Sequence, residues 1–347
     1  MPRPDGRERR ARYPGGRDGA DGRPYRPGLP GHLVSGPTAV EAAAAARSAT
    51  GWTEARVWRF STGSGHYVFE ASGEDGPPIV IRMGLPTQRA EMAHGIQLDE
   101  RLARLGVPLP TLIASGLEGA FPWVAMERFA GTDLGDVMHG LADQQLADIA
   151  RAVASAQTAT LAFGSEGRYG YSATAATAPH ARWDQVVDAS VARSRQRILT
   201  AGLFDPALAD AAAAAVEAWR APLQAQPARP FLHDTTTRNV IVTADGRFSG
   251  IVDVDDLCFG DPRWAPGLTM AALIAHRGPV AYVDHWLRAA GHADDGLFRL
   301  YVAVFLLDLM AEHGLYFNGN ETPSQPEDRQ RLRAAFEAAL GDPRLIR

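Results

Sequence analysis

Runs in which apolar and polar residues alternate occupy much of the chain between residues 55 and 129, and they predict β-strands. Turn-forming residues, above all glycine, aspartate and proline, separate these runs. Two helices are predicted nearby, an alanine-rich one over 37–48 and one over 87–105 that ends before Gly106 and Pro108. The five predicted strands, with the second helix inserted after the third, lie at 55–61, 66–72, 77–83, 110–116 and 121–129.

After Gly131 the apolar residues recur at helical spacing over long alanine- and leucine-rich segments. The block 230–262 interrupts them with short β-like pieces and a concentration of acidic residues. A small sheet unit followed by a larger helical unit predicts an α+β fold with a cleft between the two. The predicted helices cover about 142–162, 180–200, 206–224, 267–276, 279–290, 294–315 and 326–340.

The first 30 residues contain few large apolar side chains and are dominated by proline, glycine, arginine and aspartate. Such a segment buries too little apolar surface to offset the entropy lost on ordering, so residues 1–35 are predicted to form a disordered basic tail. Residues 1–30 contain eight arginines and four acids, and the rest of the chain has a net charge of −9. An acidic body favours a cationic ligand and argues against nucleic acid as a partner.

Composition narrows the class of protein further. We expect no membrane association, because no apolar run reaches the length of a membrane span and none resembles a secretory signal. Cys258 is the only cysteine, which excludes an intrachain disulfide and a cysteine-based zinc site. A reduced, cytoplasmic protein is the expectation. The chain contains no lysine, so every fixed side-chain cation is an arginine.

The candidate chemistry lies in the block 230–262. Asp234 and Asn239 are five residues apart on a loop between two strand-like runs, and Asp253 follows Asn239 by 14 residues. The intervening segment predicts a hairpin with its turn at Asp245-Gly246, which would return Asp253 beside Asn239. Phosphoryl transfer requires a carboxylate that orients the attacking hydroxyl and oxygen ligands for magnesium. These three residues would supply both.

This block resembles the catalytic and metal-binding motifs of the aminoglycoside phosphotransferase family, a branch of the protein-kinase-like fold. The matching features are an aspartate, four residues and an asparagine, followed by an Ile-Val-Asp run that closes in Gly-Asp-Pro at residue 262. The resemblance covers about residues 36–345. It implies that Asp234 is the catalytic base, that Asn239 and Asp253 bind Mg²⁺, and that the phosphoryl donor is ATP or GTP.

The same resemblance implies nucleotide-binding residues in the sheet unit. Arg82, at the end of the third strand, corresponds to the phosphate-pairing cation, and its expected helix carboxylate is Glu91, with Glu100 as the rival. The segment Thr62–His66 is similar to a short phosphate-covering loop, in which small residues let backbone N–H groups approach a triphosphate. Its three small residues are Gly63, Ser64 and Gly65.

The segment from Trp123 to Gly131 is similar to the linker between the lobes of this fold. Backbone groups around Glu127 and Phe129 are expected to bind adenine, with Met126 at the back of the pocket. The predicted division is therefore a nucleotide-binding lobe over 36–126, a hinge over 127–131, and a catalytic and substrate-binding lobe over 132–347. In this fold the first lobe is a small five-stranded antiparallel sheet with one helix, and the second is mainly helical.

Two features depart from the family pattern, and one further acid has no settled role. The histidine that usually stands two residues before the catalytic aspartate is Leu232 here, and His233 is adjacent to Asp234 instead. Arg263 follows Gly-Asp-Pro in the region where the family commonly has an aspartate that braces the catalytic loop. Asp255 has two interpretations, a residue behind the metal site or an ordinary structural acid.

Three functions are compatible with these motifs. The first is an aminoglycoside-type kinase that phosphorylates a hydroxyl of a small, cationic molecule. A metabolic kinase for a choline-, homoserine- or sugar-like alcohol shares every motif. The third is a nucleotide-binding pseudokinase that regulates a partner, which the shifted histidine and the missing aspartate favour. The protein is expected to act as a monomer or a homodimer.

Overall fold

The computed structural model describes residues 36–60, 66–165, 167–317 and 320–341. Its first unit is a five-stranded sheet in the order β1-β2-β3-β5-β4, with every neighbouring pair antiparallel. This confirms the predicted sheet. The strands span Arg56–Arg59 (β1), Tyr67–Ser72 (β2), Ile79–Met83 (β3), Leu112–Gly116 (β4) and Trp123–Glu127 (β5).

Helix α1 (Ala39–Thr50) covers one face of this sheet. Thr38 and Glu41 form a capping box at its start, and Gly51 ends it in the left-handed conformation at φ 78°. Its buried side chains are alanines, which allow the helix backbone to approach strand residues such as Phe69 and Ile81 closely.

Helix α2 (Arg89–Arg104) is associated with the second unit through its apolar face. Leu98 and Leu102 belong to one buried cluster with Leu232, Val254 and other residues of the acidic block. The helix inserted after β3 therefore packs against the segment that carries the candidate chemistry. The two units share a core at this point.

The remaining helices form the second unit, as predicted. In the part of the chain that the structure describes, no helix combines the length and apolar character needed to cross a membrane. Helix α10 is buried along almost its whole length and packs against α5, α8 and α11. The helices are α3 (Leu134–Val137), α4 (Asp143–Ala159), α5 (Trp183–Ala201), α6 (Ala207–Ala218), α7 (Arg220–Gln224), α8 (Trp264–His276), α9 (Ala281–Ala290), α10 (Gly296–Glu312) and α11 (Pro326–Gly341).

Several helix boundaries differ from the prediction by a few residues, and one predicted helix is divided into two. The single helix predicted over 206–224 is broken at Trp219 into α6 and α7, and α8 begins at Trp264 rather than at 267. Trp264 is buried and its ring packs against Trp183 and Tyr301. Tertiary packing therefore sets where this helix begins.

Three small sheets are present among the described residues of the second unit. One has the order β10-β9-β6 and another the order β7-β11-β8, while β12 pairs with β13. The β-like pieces predicted within 230–262 are confirmed as β8 to β11, whereas β6, β7, β12 and β13 were not predicted. The strands span Thr132–Asp133 (β6), Gly170–Ser172 (β7), Arg229–Phe231 (β8), Val240–Val242 (β9), Phe248–Ile251 (β10), Leu257–Gly260 (β11), Tyr316–Phe317 (β12) and Asn320–Glu321 (β13).

The segment that follows β5 packs closely on the β9–β10 hairpin. A Cβ built on Gly250 would lie 2.3 Å from the ring of Phe129, and Ser249 donates a hydrogen bond to the carbonyl of Ala130. Gly131 has φ 120°, and a Cβ there would lie 1.9 Å from the carbonyl oxygen of Val242. Only glycine fits this crossing without a backbone shift.

We expect Gly131→Ala to lower the free energy of unfolding by about 3 kcal/mol, because it adds backbone strain and a clash with a strand carbonyl. Denaturant unfolding followed by circular dichroism measures the change. Gly140→Ala is the matched control, since a Cβ there meets nothing within 4 Å. Equal stability of the two variants would contradict the close crossing.

Candidate active site

A buried side-chain amide holds the loop between β8 and β9. Gln157 of α4 donates hydrogen bonds to the carbonyl of Leu232 (2.7 Å) and to the hydroxyl of Thr235 (3.1 Å). Its own oxygen accepts a hydrogen bond from the Leu232 nitrogen at 2.8 Å. The amide thus satisfies both main-chain groups of Leu232, as a strand partner would. This fixes the chain two residues before Asp234.

Asp234 lies on a loop that is closed by its own hydrogen bonds. The Asn239 side-chain nitrogen donates to the Asp234 carbonyl at 2.8 Å, and the Asn239 main-chain nitrogen donates to the Thr236 carbonyl at 2.9 Å. The Thr236 hydroxyl donates to the Asp234 carboxylate at 3.3 Å. Asp234 and Asn239 are both half-buried, so each side chain reaches the surface of the site. Because the amide nitrogen of Asn239 is engaged, its oxygen is the atom it can offer to a cation.

The predicted hairpin is present and returns Asp253 to Asn239. Ile251 lies opposite Val240, and the Val252 nitrogen donates to the Asn239 carbonyl at 2.9 Å. Val252 therefore faces Asn239, and Asp253 is the next residue in the chain. It has φ 62°, a left-handed conformation that is uncommon outside glycine, and its side chain is half exposed. The backbone thus places the two predicted metal ligands side by side.

Arg82 extends from β3 toward this hairpin. One guanidinium nitrogen lies 3.6 Å from a carboxylate oxygen of Asp253, and the other donates a hydrogen bond to Asp255. His66, at the start of β2, lies 3.8 Å from the second oxygen of Asp255. The predicted phosphate-pairing cation is therefore adjacent to a predicted metal ligand.

Glu91, the expected partner of Arg82, lies at the edge of this group. It is exposed on α2, and one of its carboxylate oxygens is within 4.8 Å of ligand atoms of His66 and Asp255. Asp255 is the acid bonded to Arg82. From the sequence it was interpreted only as a residue behind the metal site or as a structural acid. A role of Glu91 in nucleotide binding stays a prediction.

The acids that follow Asp255 have separate partners. Asp256 lies 3.2 Å from Nδ1 of His233, whose ring packs edge-on against Tyr171. Asp261 accepts hydrogen bonds from Arg263 (2.7 Å) and from the hydroxyl of Tyr301 (2.9 Å). Burial raises the pKa of Tyr301 well above its ordinary value, so its hydroxyl remains a donor.

Arg263 takes part in bracing this region where the family commonly has an aspartate. Besides Asp261, it binds the carboxylate of Asp295 at the start of α10 through a contact of 2.8 Å. Cys258 is fully buried on β11, and burial raises the pKa of its thiol, which keeps it protonated. A packing role for Cys258 is consistent with both observations.

The predicted hinge has part of its main chain already bonded. The Glu127 nitrogen donates to the Thr111 carbonyl at 2.9 Å, and the Phe129 carbonyl accepts from the side chain of Arg128 at 3.0 Å. Met126 is half-buried on β5, between Val80 and Leu112 of the neighbouring strands. Adenine binding by this segment stays a prediction, and it would use main-chain groups other than these two.

Gly63, Ser64 and Gly65 lie outside the described residues, so the predicted phosphate-covering loop stays a prediction as well. Gln157 was missed by the sequence analysis, although the sequence contains a signal for it. It continues the buried apolar row of α4 that includes Leu146, Ile149 and Val153. A glutamine at such a position requires buried hydrogen-bond partners.

The sheet unit, the mainly helical unit and the loop-and-hairpin site between them define a phosphotransferase with the protein-kinase-like fold. The chain belongs to the phosphotransferase enzyme family, whose sequence profile matches residues 49–301. No curated protein sequence gives a significant match to the chain.

Solved structures of aminoglycoside phosphotransferases have the same fold at low sequence identity. The crystal structure of aminoglycoside phosphotransferase APH(4)-Ia is 18% identical, with a TM-score of 0.59, and the match covers 86% of this chain and 97% of that one. The GDP and kanamycin complex of APH(2″)-IIIa is 18% identical with a TM-score of 0.58, covering 84% and 91%. The streptomycin–ATP complex of APH(2″)-IIa is 11% identical with a TM-score of 0.59, covering 88% and 99%.

We expect Gln157→Leu to lower the free energy of unfolding by about 3 kcal/mol, because it leaves the buried main-chain groups of Leu232 without partners. Gln144→Leu is the matched control on the exposed face of the same helix and should change stability by less than about 0.5 kcal/mol. Denaturant unfolding of both variants measures the difference. Similar values would show that the amide does not hold the loop.

Proposed function

We propose that this chain transfers the γ-phosphoryl group of ATP or GTP to a hydroxyl group of a small molecule. The observation that supports this best is the hairpin contact between Val252 and Asn239. It returns Asp253 to Asn239, and the Asn239 amide nitrogen in turn holds the main chain of Asp234. A base and two oxygen ligands thus meet on one hydrogen-bonded framework.

Each residue has a chemical role in this proposal. Asp234 accepts a hydrogen bond from the acceptor hydroxyl, orients it toward the γ-phosphorus and receives its proton as the new P–O bond forms. Arg82 binds the phosphates of the nucleotide and keeps them in place. The bond from the γ-phosphorus to the bridging oxygen breaks, and the nucleoside diphosphate leaves.

The amide oxygen of Asn239 and the carboxylate of Asp253 fit Mg²⁺, because this ion prefers oxygen ligands and is bound in such sites by few protein groups together with phosphates. When bound, Mg²⁺ neutralises the negative charge of the transferred group. The side chain of Asp253 is half exposed, whereas the buried Asp255 is bonded to Arg82.

For the acceptor we propose a cationic, hydroxyl-rich molecule of the aminoglycoside type. Residues after 30 have a net charge of −9, which attracts a polycation to the protein. Two of the structural matches are complexes of hygromycin B with ADP and of kanamycin with GDP, which supports an acceptor of this type. The second candidate is a kinase for a small alcohol of the choline, homoserine or sugar type.

A nucleotide-binding pseudokinase remains the alternative from a different class. It was favoured by the shifted histidine and the missing aspartate. In the structure Gln157 holds the loop before Asp234, and Arg263 and Tyr301 bind Asp261, the aspartate of Gly-Asp-Pro. Because Gln157 holds the loop before Asp234 and Asp261 has its own partners, we favour an active enzyme.

We expect Asp234→Asn to lower kcat by about a thousandfold while nucleotide affinity changes by less than about threefold, because only the proton acceptor is lost. Asp253→Ala should instead weaken binding of the Mg-nucleotide by about tenfold or more. Steady-state kinetics and calorimetry with an ATP analogue measure both. Asp148→Asn, on an exposed acid of α4, is the control without effect. Equal and mild losses in the first two variants would contradict the assignment.

A substrate panel read by release of nucleoside diphosphate should identify the acceptor class. We expect aminoglycosides to accelerate release above the acceptor-free rate, and their KM to rise with ionic strength because attraction to an acidic protein is screened by salt. Neutral sugars of similar size are the matched control for charge. Acceleration by choline, homoserine or neutral sugars alone would replace the aminoglycoside proposal with the small-alcohol one.

A further inference from the structure

We infer that Asp255 is the residue that positions Arg82 for nucleotide binding, in place of a carboxylate on helix α2. This inference deepens the proposed function and rests on it. Arg82 and Asp255 are 173 positions apart in the chain and form a buried pair, with side chains 12% and 5% exposed. Both charges are removed from water, and only their mutual attraction offsets that cost. The two groups must therefore stay in contact, which restricts the geometry of the pair.

Helix α2 leaves room for this carboxylate at Gly95. A Cβ built on Gly95 would lie 3.6 Å from Oδ1 of Asp255, the oxygen that accepts the hydrogen bond from Arg82. Glu91 is one helical turn before Gly95 and is exposed. Val254 packs in the same buried cluster as Leu98 of α2. The Asp255 carboxylate thus occupies the space between α2 and β3.

The two amino groups of Arg82 have different partners. Nη2 donates to Asp255, and Nη1 lies 3.6 Å from Oδ1 of Asp253, which is half exposed. The buried contact fixes the guanidinium, and Nη1 is the group directed to the exposed side, where the phosphates of a nucleotide would lie. Because Asp253 and Asp255 are two residues apart, the cation is positioned by the same segment that provides the proposed metal ligand.

A further contact places Asp255 itself. Nδ1 of His66 lies 3.8 Å from Oδ2 of Asp255, and both side chains are about 95% buried. His66 immediately precedes β2, the strand that pairs with β3, and Val68 lies opposite Arg82 in that pairing. The carboxylate is therefore enclosed by two neighbouring strands and α2, which restricts it to the orientation that binds Arg82.

The test measures how far the contribution of Arg82 to nucleotide affinity depends on Asp255. Arg82→Gln should weaken binding of a non-hydrolysable ATP analogue by about tenfold or more, the value of a charge-assisted hydrogen bond. In the Asp255→Asn background, Arg82→Gln should weaken binding of the analogue by less than about threefold, because the guanidinium is no longer held in place. Binding is measured by calorimetry with the full-length chain, with and without Mg²⁺.

Two backgrounds serve as controls. Asp184→Asn also removes a buried carboxylate that is bonded to arginines, on α5, and it should leave the cost of Arg82→Gln unchanged. This control therefore distinguishes positioning of Arg82 by Asp255 from a general loss of protein stability. Glu91→Gln tests the rival acid: if the contribution of Arg82 disappears only in this background, the carboxylate of α2 is the anchor and the inference is wrong.

The remaining outcomes are also decisive. An equal cost of Arg82→Gln with and without Asp255 would show that the two residues act independently. A larger cost in the Asp255→Asn background would show that Asp255 competes with the phosphates for Arg82. An effect of Asp255→Asn that occurs only with Mg²⁺ would identify a metal ligand. Each of these overturns the inference, whereas failure of the wild-type chain to bind the analogue would instead contradict the proposed function.

Discussion

The register of the β9–β10 hairpin is the constraint on which the whole site depends. Asn239 and Asp253 are 14 residues apart, and they become neighbours only if Val252 donates its hydrogen bond to Asn239. A slip of one residue would direct the side chains of β10 to the opposite face of the sheet and move Asp253 away from Asn239. The contact of Gly250 with the ring of Phe129 opposes such a slip, because any other residue at that position would collide with the ring.

The loop that carries Asp234 is held in place by a different side chain from the one usual in the family. The family usually has a histidine where this chain has Leu232. Here the main chain of Leu232 is bonded instead by Gln157, a residue of a helix 75 positions earlier. An amide has one donor group and one acceptor, so it can satisfy both the carbonyl and the nitrogen of a single residue. The loop does not need the histidine, and His233 is left to bind Asp256.

Features that depend on local spacing could be predicted from the sequence. Strand alternation, helical periodicity and the Asp-Gly turn gave the five-stranded sheet, most helices and the hairpin, because each follows from contacts between residues close in the chain. The start of α8 could not be predicted, since it depends on where Trp264 packs against Trp183 and Tyr301. The partner of Arg82 could not be predicted either. Glu91 and Asp255 both match the chemistry, and only the tertiary packing of α2 against the acidic block distinguishes them.

The absence of lysine has a structural consequence at this site. An arginine has several donors in one rigid plane, whereas a lysine is a single charge on a flexible stem. Arg82 therefore holds Asp255 through one nitrogen and keeps the other beside Asp253, which a single ammonium group could not do in both directions with fixed geometry. The same use of the guanidinium recurs where Arg263 bridges Asp261 and Asp295 and where Arg220 bridges Asp184 and Asp188. In each of these places one arginine joins two acids, at least one of which is distant from it in the sequence, and Arg82 does so at the proposed nucleotide site.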